Sequence, residues 1–240
     1  MFYIGTSGWN YPHWKVRFYP EGLSQNKWLD YYVKFFNAVE LNVTFYRLVK
    51  RQTFKNWYEN TPKGFYFVVK GSRFITHVKK LKDCKKPLKI FFDNCSVLKE
   101  KLSCILWQLP AGFKKDTSRL IEFLNLLNHY IKGIKQAIEF RNKSWFTEDI
   151  YALLRQYNVS LCIAHSDRWP CEKVITADFL YLRFHGGEAL YSSDYSEKEL
   201  KEWAGFALGS KLKDIFAFFN NDNEAFAVKN ALRFKQLLKG

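Results

Sequence analysis

The chain has 240 residues, of which 48% are hydrophobic and 19% aromatic. That much apolar surface excludes a disordered chain and suffices for one sizeable core. With 38 Lys and Arg against 23 Asp and Glu, the formal charge is +15. This balance points to a nucleic-acid partner or a phosphorylated substrate, against the competing reading of lysines scattered over solvated helix faces.

Short apolar runs rich in β-branched and aromatic residues recur at 2–5, 39–44, 65–70, 105–109, 136–140, 161–164, 180–185 and 215–220. Near-continuous apolar runs of this length read as strands of a parallel sheet covered on both faces. Helical patterns lie between them. Trp28, Tyr31 or Tyr32, and Phe35 recur at helical spacing, as do Leu120, Phe123, Leu127 and Ile131 before Gly133. Ile150, Leu153 and Tyr157 follow Ser144 and Thr147, either of which is a candidate cap, and Ser196 with Glu199 has the form of a capping box. Between 164 and 179 there is little room and Pro170 interrupts, so a loop or a single turn is expected there. Eight strands alternating with helices predict an α/β fold, a single-domain (β/α)8 TIM-type barrel over 1–240 with a reduced or missing sixth helix.

The five cysteines, Cys84, Cys95, Cys104, Cys162 and Cys171, are odd in number and contain no C-x-x-C pair. Reduced, mostly buried thiols in a cytosolic protein are expected. No basic-then-apolar leader precedes Phe2-Tyr3-Ile4, and no apolar stretch approaches the length of a bilayer span. The expectation is a soluble cytoplasmic protein with no membrane association.

Barrels of this kind carry their chemistry at the C-terminal ends of the strands. Read in order, those positions hold Thr6 and Ser7, Glu40 and Asn42, Lys70, Gln108, Glu139 and Arg141, His165 and Asp167, Arg183 and His185, and Asn220-Asn221-Asp222. Glu40 and Glu139 lie within or at the end of apolar strands, where desolvation raises a carboxyl pKa and suits it to acid or base work. An ion network with Arg141, Arg183 or Lys70 is the alternative. His185 before Gly186-Gly187 is placed to polarise a substrate oxygen, shuttle a proton or ligate a metal. These three are the candidate catalytic residues. Lys70 is read as an anion anchor or a partner of a glutamate, and less readily as a Schiff-base lysine. Asn221 or Asp222 is a plain helix N-cap candidate, whereas Asn220 belongs to the strand and the site.

Cofactors stay undefined. A divalent metal is compatible with Glu40, Glu139, His165, His185 and Asp222 facing one opening, although no H-x-H or H-E-x-x-H motif is present. Aromatics crowd the same loops: Trp9, Tyr11, Trp14 and Tyr19, then Phe45 and Tyr46, Trp145, Trp169, Tyr191 and Tyr195. Exposed, they stack on bases or sugars; otherwise they pack a barrel lid.

Thr6-Ser7-Gly8-Trp9 with Tyr11, Trp14 and Phe18-Tyr19-Pro20 resembles the opening signature of the YecE-like proteins, the domain of unknown function 72. The resemblance continues through Glu40-Leu41-Asn42 with Thr44-Phe45-Tyr46, Trp57, Thr61-Pro62, and Phe65 to Lys70. Ile75-Thr76-His77, Gln108-Leu109-Pro110, Glu139-Phe140-Arg141 with Ser144-Trp145, Arg183-Phe184-His185-Gly186 and Phe219-Asn220-Asn221-Asp222 complete it, in family order over essentially the whole chain. It implies a (β/α)8 barrel and leaves the activity open. Three departures stand out: Lys15-Val16-Arg17 where the family often has Gly, Asn142 where a histidine commonly follows E-F-R, and His165 then Asp167 where an aspartate is usual.

The expected ligand is therefore phosphate-bearing, a nucleic acid or a phosphosugar, met by Thr6, Trp9, Tyr11, Trp14, Asn42, Tyr46, Lys70, His77, Gln108, Arg141, Trp145, Arg183 and Asn220. Hydrolase or lyase-type acid/base chemistry is one outcome. Non-catalytic binding of single-stranded nucleic acid is the other.

Overall fold

The computed structural model describes residues 1–187 and 190–239. Its eight strands are β1 (Phe2–Thr6), β2 (Ala38–Leu41), β3 (Tyr66–Lys70), β4 (Leu102–Gln108), β5 (Lys135–Glu139), β6 (Val159–His165), β7 (Phe179–Phe184) and β8 (Asp214–Phe219). All neighbouring pairs are parallel, in the order β1-β8-β7-β6-β5-β4-β3-β2. Around them run α1 (Trp28–Tyr32), the one-turn α2 (Val43–Tyr46), α3 (Arg51–Glu59), α4 (Lys85–Cys95), α5 (Thr117–Tyr130), α6 (Glu148–Gln156), α7 (Glu197–Gly209) and α8 (Phe226–Leu237). A single π-helical turn, Phe74–Val78, precedes α4. No helix lies between β6 and β7, where Pro170 and the short connection left no room for one. The fold is the expected (β/α)8 barrel.

Alternation along the strands sorts two cores. Ile4, Val39, Phe67, Ile105, Ile138, Ile163, Leu182 and Ala217 face outward to the helices. Ala38, Val68, Leu106, Ala137, Cys162, Tyr181 and Phe216 fill the barrel, with Tyr3 stacked on Phe216 at 4.2 Å. A period of two residues requires this division, because successive Cβ atoms point to opposite faces. Small residues at Ala38, Cys104, Ala137 and Ala164 make room for the large rings of β7 and β8.

β1 and β2 are not joined by a backbone ladder; side chains close the ring there. Asn37 accepts from Ile4 N at 3.2 Å and donates to Phe2 O at 2.6 Å. The Tyr32 hydroxyl accepts from Thr6 N at 2.9 Å and lies 3.2 Å from Ala38 O. Gly5 allows the approach, since a Cβ there would sit 2.0 Å from Ala38 O.

Several local expectations change. The second run ends as a strand at Leu41, and Val43–Tyr46 turns into a helix closed by Thr44 Oγ1 on Leu41 O and Lys70 O, 2.7 and 2.6 Å. The Trp28 helix stops at Tyr32, short of Phe35. Thr147 is the N-cap position of α6 but makes no side-chain cap bond. Asp222 stands at the N-cap position of the 3-10 turn Asn223–Ala225 without a side-chain cap bond. The N-cap of α8 itself is Ala225, left-handed at φ 61°, and Asn221 Nδ2 donates to Ser193 O and Asn230 Oδ1. The Ser196–Glu199 capping box is present. All five cysteines are free, four of them buried, and no helix among the described residues is long and apolar enough to cross a membrane.

Candidate active site at the barrel mouth

The alternation that puts Ala38, Val68, Leu106, Ala137 and Tyr181 inside the barrel also puts the next inward residue of each strand at its C-terminal end. These are Glu40, Lys70, Gln108, Glu139 and Arg183. One further step brings in His185, and the same parity on β1 and β8 selects Ser7 and Asn220. The mouth is a polar lid on an apolar cylinder.

Arg183 is its centre. The guanidinium is fully buried, with Nε 3.0 Å from Glu40 Oε2, Nη2 2.6 Å from Glu40 Oε1, and Nη1 2.6 Å from Glu139 Oε2. Glu40 also accepts from Ser7 Oγ at 2.8 Å and from the Tyr181 hydroxyl at 2.7 Å. Glu139 accepts from Gln108 Nε2 and from Arg141 Nε, both at 2.7 Å. Every carboxylate oxygen is therefore engaged by a donor, as a buried charge requires.

The expected rise in the glutamate pKa values is overturned. Burial drives Glu40 upward, but the charge and hydrogen bonds of Arg183, helped by Lys70 and Tyr181, outweigh it and hold the carboxyl below its ordinary range. Burial opposes ionisation of Glu139 too, yet Arg141 and Arg183 keep it well below that range. Both are fixed anions, and the ion network that competed with the acid/base reading describes their surroundings.

His185 is fully buried, its ring flanked by Trp169 and Tyr191, each at 5.6 Å. Burial first, then the Arg183 charge, lowers it to about 4, so it is neutral at pH 7. Arg183 Nη1 lies 3.1 Å from Nε2 and can only donate. On the other side of the ring, Asn220 Nδ2 lies 3.1 Å from Nδ1.

Lys70 differs from its neighbours. It is only 6% exposed, and Nζ lies 4.3 Å from the centre of the Phe45 ring but meets no hydrogen-bond acceptor among the described residues. Burial, then repulsion from Arg183, lowers it to about 7 against the opposing pull of Glu139 and Glu40. His77 packs edge-on to Phe45 at 4.9 Å and bonds Thr76 Oγ1 through Nδ1. Burial and the charges of Lys70 and Arg141 lower it to about 4. Arg141 stacks on Trp169 at 3.6 Å. It opens onto a cleft of about 380 Å³ lined by His77, Pro110, Arg141, Arg168, Trp169 and Tyr191.

Other expected contacts lie elsewhere. Thr6 has outward parity, and its hydroxyl bonds Gly8 O and Tyr32. Trp14 and Trp145 are fully buried, donating to Asp222 O at 3.3 Å and Phe113 O at 2.7 Å. Trp9 packs on Trp57 on the barrel flank. Tyr11 donates to Ser7 O at 2.6 Å, and Tyr46 stands 75% exposed beside the mouth. Asn42 donates to Ser7 O at 3.2 Å and leaves its buried Oδ1 without a partner. The metal constellation does not assemble: His165 points outward to Tyr195 and Trp203, and Asp222 faces His13. Among the described residues no three His, Cys, Asp or Glu side chains converge as ligands. Tyr181, absent from the expected set, and Ser7, read at a strand end but not among the expected ligand contacts, are found by parity, two residues before Arg183 and two after Gly5.

Fold and mouth together define a (β/α)8 barrel with an ion-paired floor and an unpaired lysine at the C-terminal ends of its strands. The chain belongs to the family described as protein of unknown function DUF72, whose model matches residues 3–240. It is 28% identical to the UPF0759 protein YunF of Bacillus subtilis, covering 99% of this chain and 95% of the relative. It is 34% identical to YecE of Escherichia coli K12 over 62% of this chain and 51% of that protein. The crystal structure of a DUF72 family protein from Thermotoga maritima superposes with a TM-score of 0.88 at 34% identity, covering 100% of both chains. One from Enterococcus faecalis, 20% identical, shares the fold with a TM-score of 0.85, covering 100% of this chain and 96% of that one.

Proposed function

We propose that the mouth takes a phosphate-bearing small molecule and that Lys70 moves a proton on it, in acid/base chemistry of a hydrolase or lyase type. The observation that carries this reading is the charge balance of the floor. Glu40 and Glu139 neutralise Arg183 and Arg141, so Lys70 is the cation of this floor that has no ion-pair partner among the described residues. An incoming anion supplies one. With its pKa at about 7, Lys70 is part neutral amine and part ammonium at neutral pH, the condition in which one group both accepts and returns a proton. Arg141 anchors the anion, and Trp169 holds its guanidinium flat. Glu40, Glu139 and His185 orient these groups.

The alternative, a non-catalytic grip on single-stranded nucleic acid, draws on the same cations. It needs exposed rings for base stacking, and of the expected rings Trp14 and Trp145 are buried while Tyr46 stands exposed. Calorimetric titration with a phosphosugar and with a single-stranded oligonucleotide, each over a salt series, separates the two. Phosphosugar binding that weakens at least tenfold in Lys70→Met and in Arg141→Met supports the proposal. Oligonucleotide binding that persists at high salt, with no phosphosugar binding, overturns it.

A further inference from the structure

A basin of about 730 Å³ opens beside the mouth, walled by α2, the π-turn Phe74–Val78 and α4. Nine large hydrophobic side chains are exposed among the described residues, and five of them line this basin: Tyr46, Leu48, Phe74, Val78 and Ile90. Scattered singly, such residues need no explanation, but gathered in one concavity they mark a binding surface.

Its charge is one-sided. Arg47, Arg73, Lys79 and Lys86 also line it, against Asp83 as the single acid. No ion pair involves any of the four cations among the described residues. The backbone here is irregular as well. The π-turn is followed by Lys80, Leu81 and Asp83 at φ 46°, 70° and 50°, and such departures concentrate at functional sites.

Phe45 ties the basin to the mouth. Its ring lies beneath Lys70 Nζ, meets His77 edge-on, and is itself part of the basin wall. A molecule lying across Phe45 has its charged end at Lys70 and its body among Tyr46, Phe74 and Val78. A sugar phosphate would leave those side chains in water.

We infer that the basin is the subsite for the apolar body of an amphipathic anion, an alkyl or aryl phosphate whose charged group sits at Lys70 and Arg141. The inference rests on the mouth reading proposed above and names the substrate class for it. Four unpaired cations around an apolar floor fit this chemistry and reject a cationic amphiphile.

Calorimetric titration of the full chain with butyl phosphate and octyl phosphate, both below micelle formation, tests it. Each buried methylene is worth about fourfold in affinity, so octyl phosphate is expected to bind at least about a hundredfold tighter. Val78→Asp should erase most of that gain, with Leu48→Ser as a second variant if the first melts abnormally. Lys70→Met should weaken octyl phosphate at least tenfold, and octyltrimethylammonium should not bind. Equal affinity for the two phosphates overturns the basin subsite while leaving the mouth reading intact. Tight octyl phosphate binding unchanged in Lys70→Met breaks the link to the mouth and overturns the inference, while the mouth reading still rests on the phosphosugar titration. Failure of octyl phosphate to bind while the protein sediments with anionic phospholipid vesicles would make the basin a membrane-facing surface and overturn the inference.

Discussion

Arg183 holds Glu40 side-on, with Nε 3.0 Å from Oε2 and Nη2 2.6 Å from Oε1, and neither side chain is exposed to solvent. This two-point grip fixes the floor of the mouth, because the third guanidinium nitrogen is already committed to Glu139 at 2.6 Å. Rotating Arg183 to meet a ligand would break both contacts at once. The residue therefore organises the site from beneath and, in the proposed reading, leaves ligand contact to Lys70 and Arg141.

Removing one member of the pair strands the other. Glu40→Gln is expected to destabilise the fold by about 3–5 kcal/mol, as loss of one partner of a buried ion pair does. Urea unfolding with an unchanged m-value and a lowered midpoint is the readout. Glu139→Gln should also destabilise, so loss of activity in that variant is interpretable only beside its unfolding curve. A Glu40→Gln protein as stable as the parent would mean that Arg183 finds water or another anion.

The β1–β2 seam makes a second stability prediction. Asn37→Leu leaves Ile4 N and Phe2 O without their side-chain partners, at a cost of about 2–4 kcal/mol for two partly buried backbone groups. Gly5→Ala is more severe, since its Cβ would stand 2.0 Å from Ala38 O, and soluble expression should be lost. An Asn37→Leu variant with an unchanged midpoint would show that water closes the seam equally well.

The acid side of the stability curve should be shared by His185 and the less deeply buried His77, both lowered to about 4. The folded value of His185 lies below the ordinary 6.5, so between those values the unfolded chain binds more protons and stability falls as the pH drops. The loss is on the order of 3 kcal/mol. Glu40 and Glu139, held low, add to it further down, where the unfolded carboxylates protonate before the folded ones. His185→Gln should make the segment between pH 6.5 and 4 shallower, leaving the part that belongs to His77. Parallel curves for variant and parent would place that titration elsewhere.

What was legible in the sequence follows from what is periodic. Strand runs and the missing helix between β6 and β7 were readable because parity and chain length constrain them locally. Glu40, Lys70, Glu139, Arg183 and His185 were placed together for the same reason. Thr6 and His165 were misplaced by counting strand ends without counting parity, which sends both outward. Trp14 and Trp145 could not be sorted into lid packing or ligand stacking, because their burial depends on Asp222 and Phe113, remote in sequence. The sign of the carboxylate shifts was hidden too. Burial alone raises them, and the approach of Arg183 to both, with Arg141 on Glu139, reverses that.

Lys70 gives the most specific pH signature. Its folded value of about 7 lies below its ordinary 10.5. Below pH 7 the ammonium is charged in both states, and the folded state bears the full penalty of burying it. From about pH 7 to 10.5 the unfolded chain binds more protons, so this contribution makes stability rise with pH. Lys70→Met should remove the rise and stabilise the protein below pH 7. Ligand binding runs the opposite way. An anion favours the ammonium and raises its pKa, so between the free and bound values the dissociation constant should grow about tenfold per pH unit. Octyl phosphate titrations at pH 6.5, 7.5 and 8.5, in buffers of differing ionisation enthalpy, would show that slope together with proton uptake. A dissociation constant flat across this range, with no proton uptake, would remove Lys70 from the binding step.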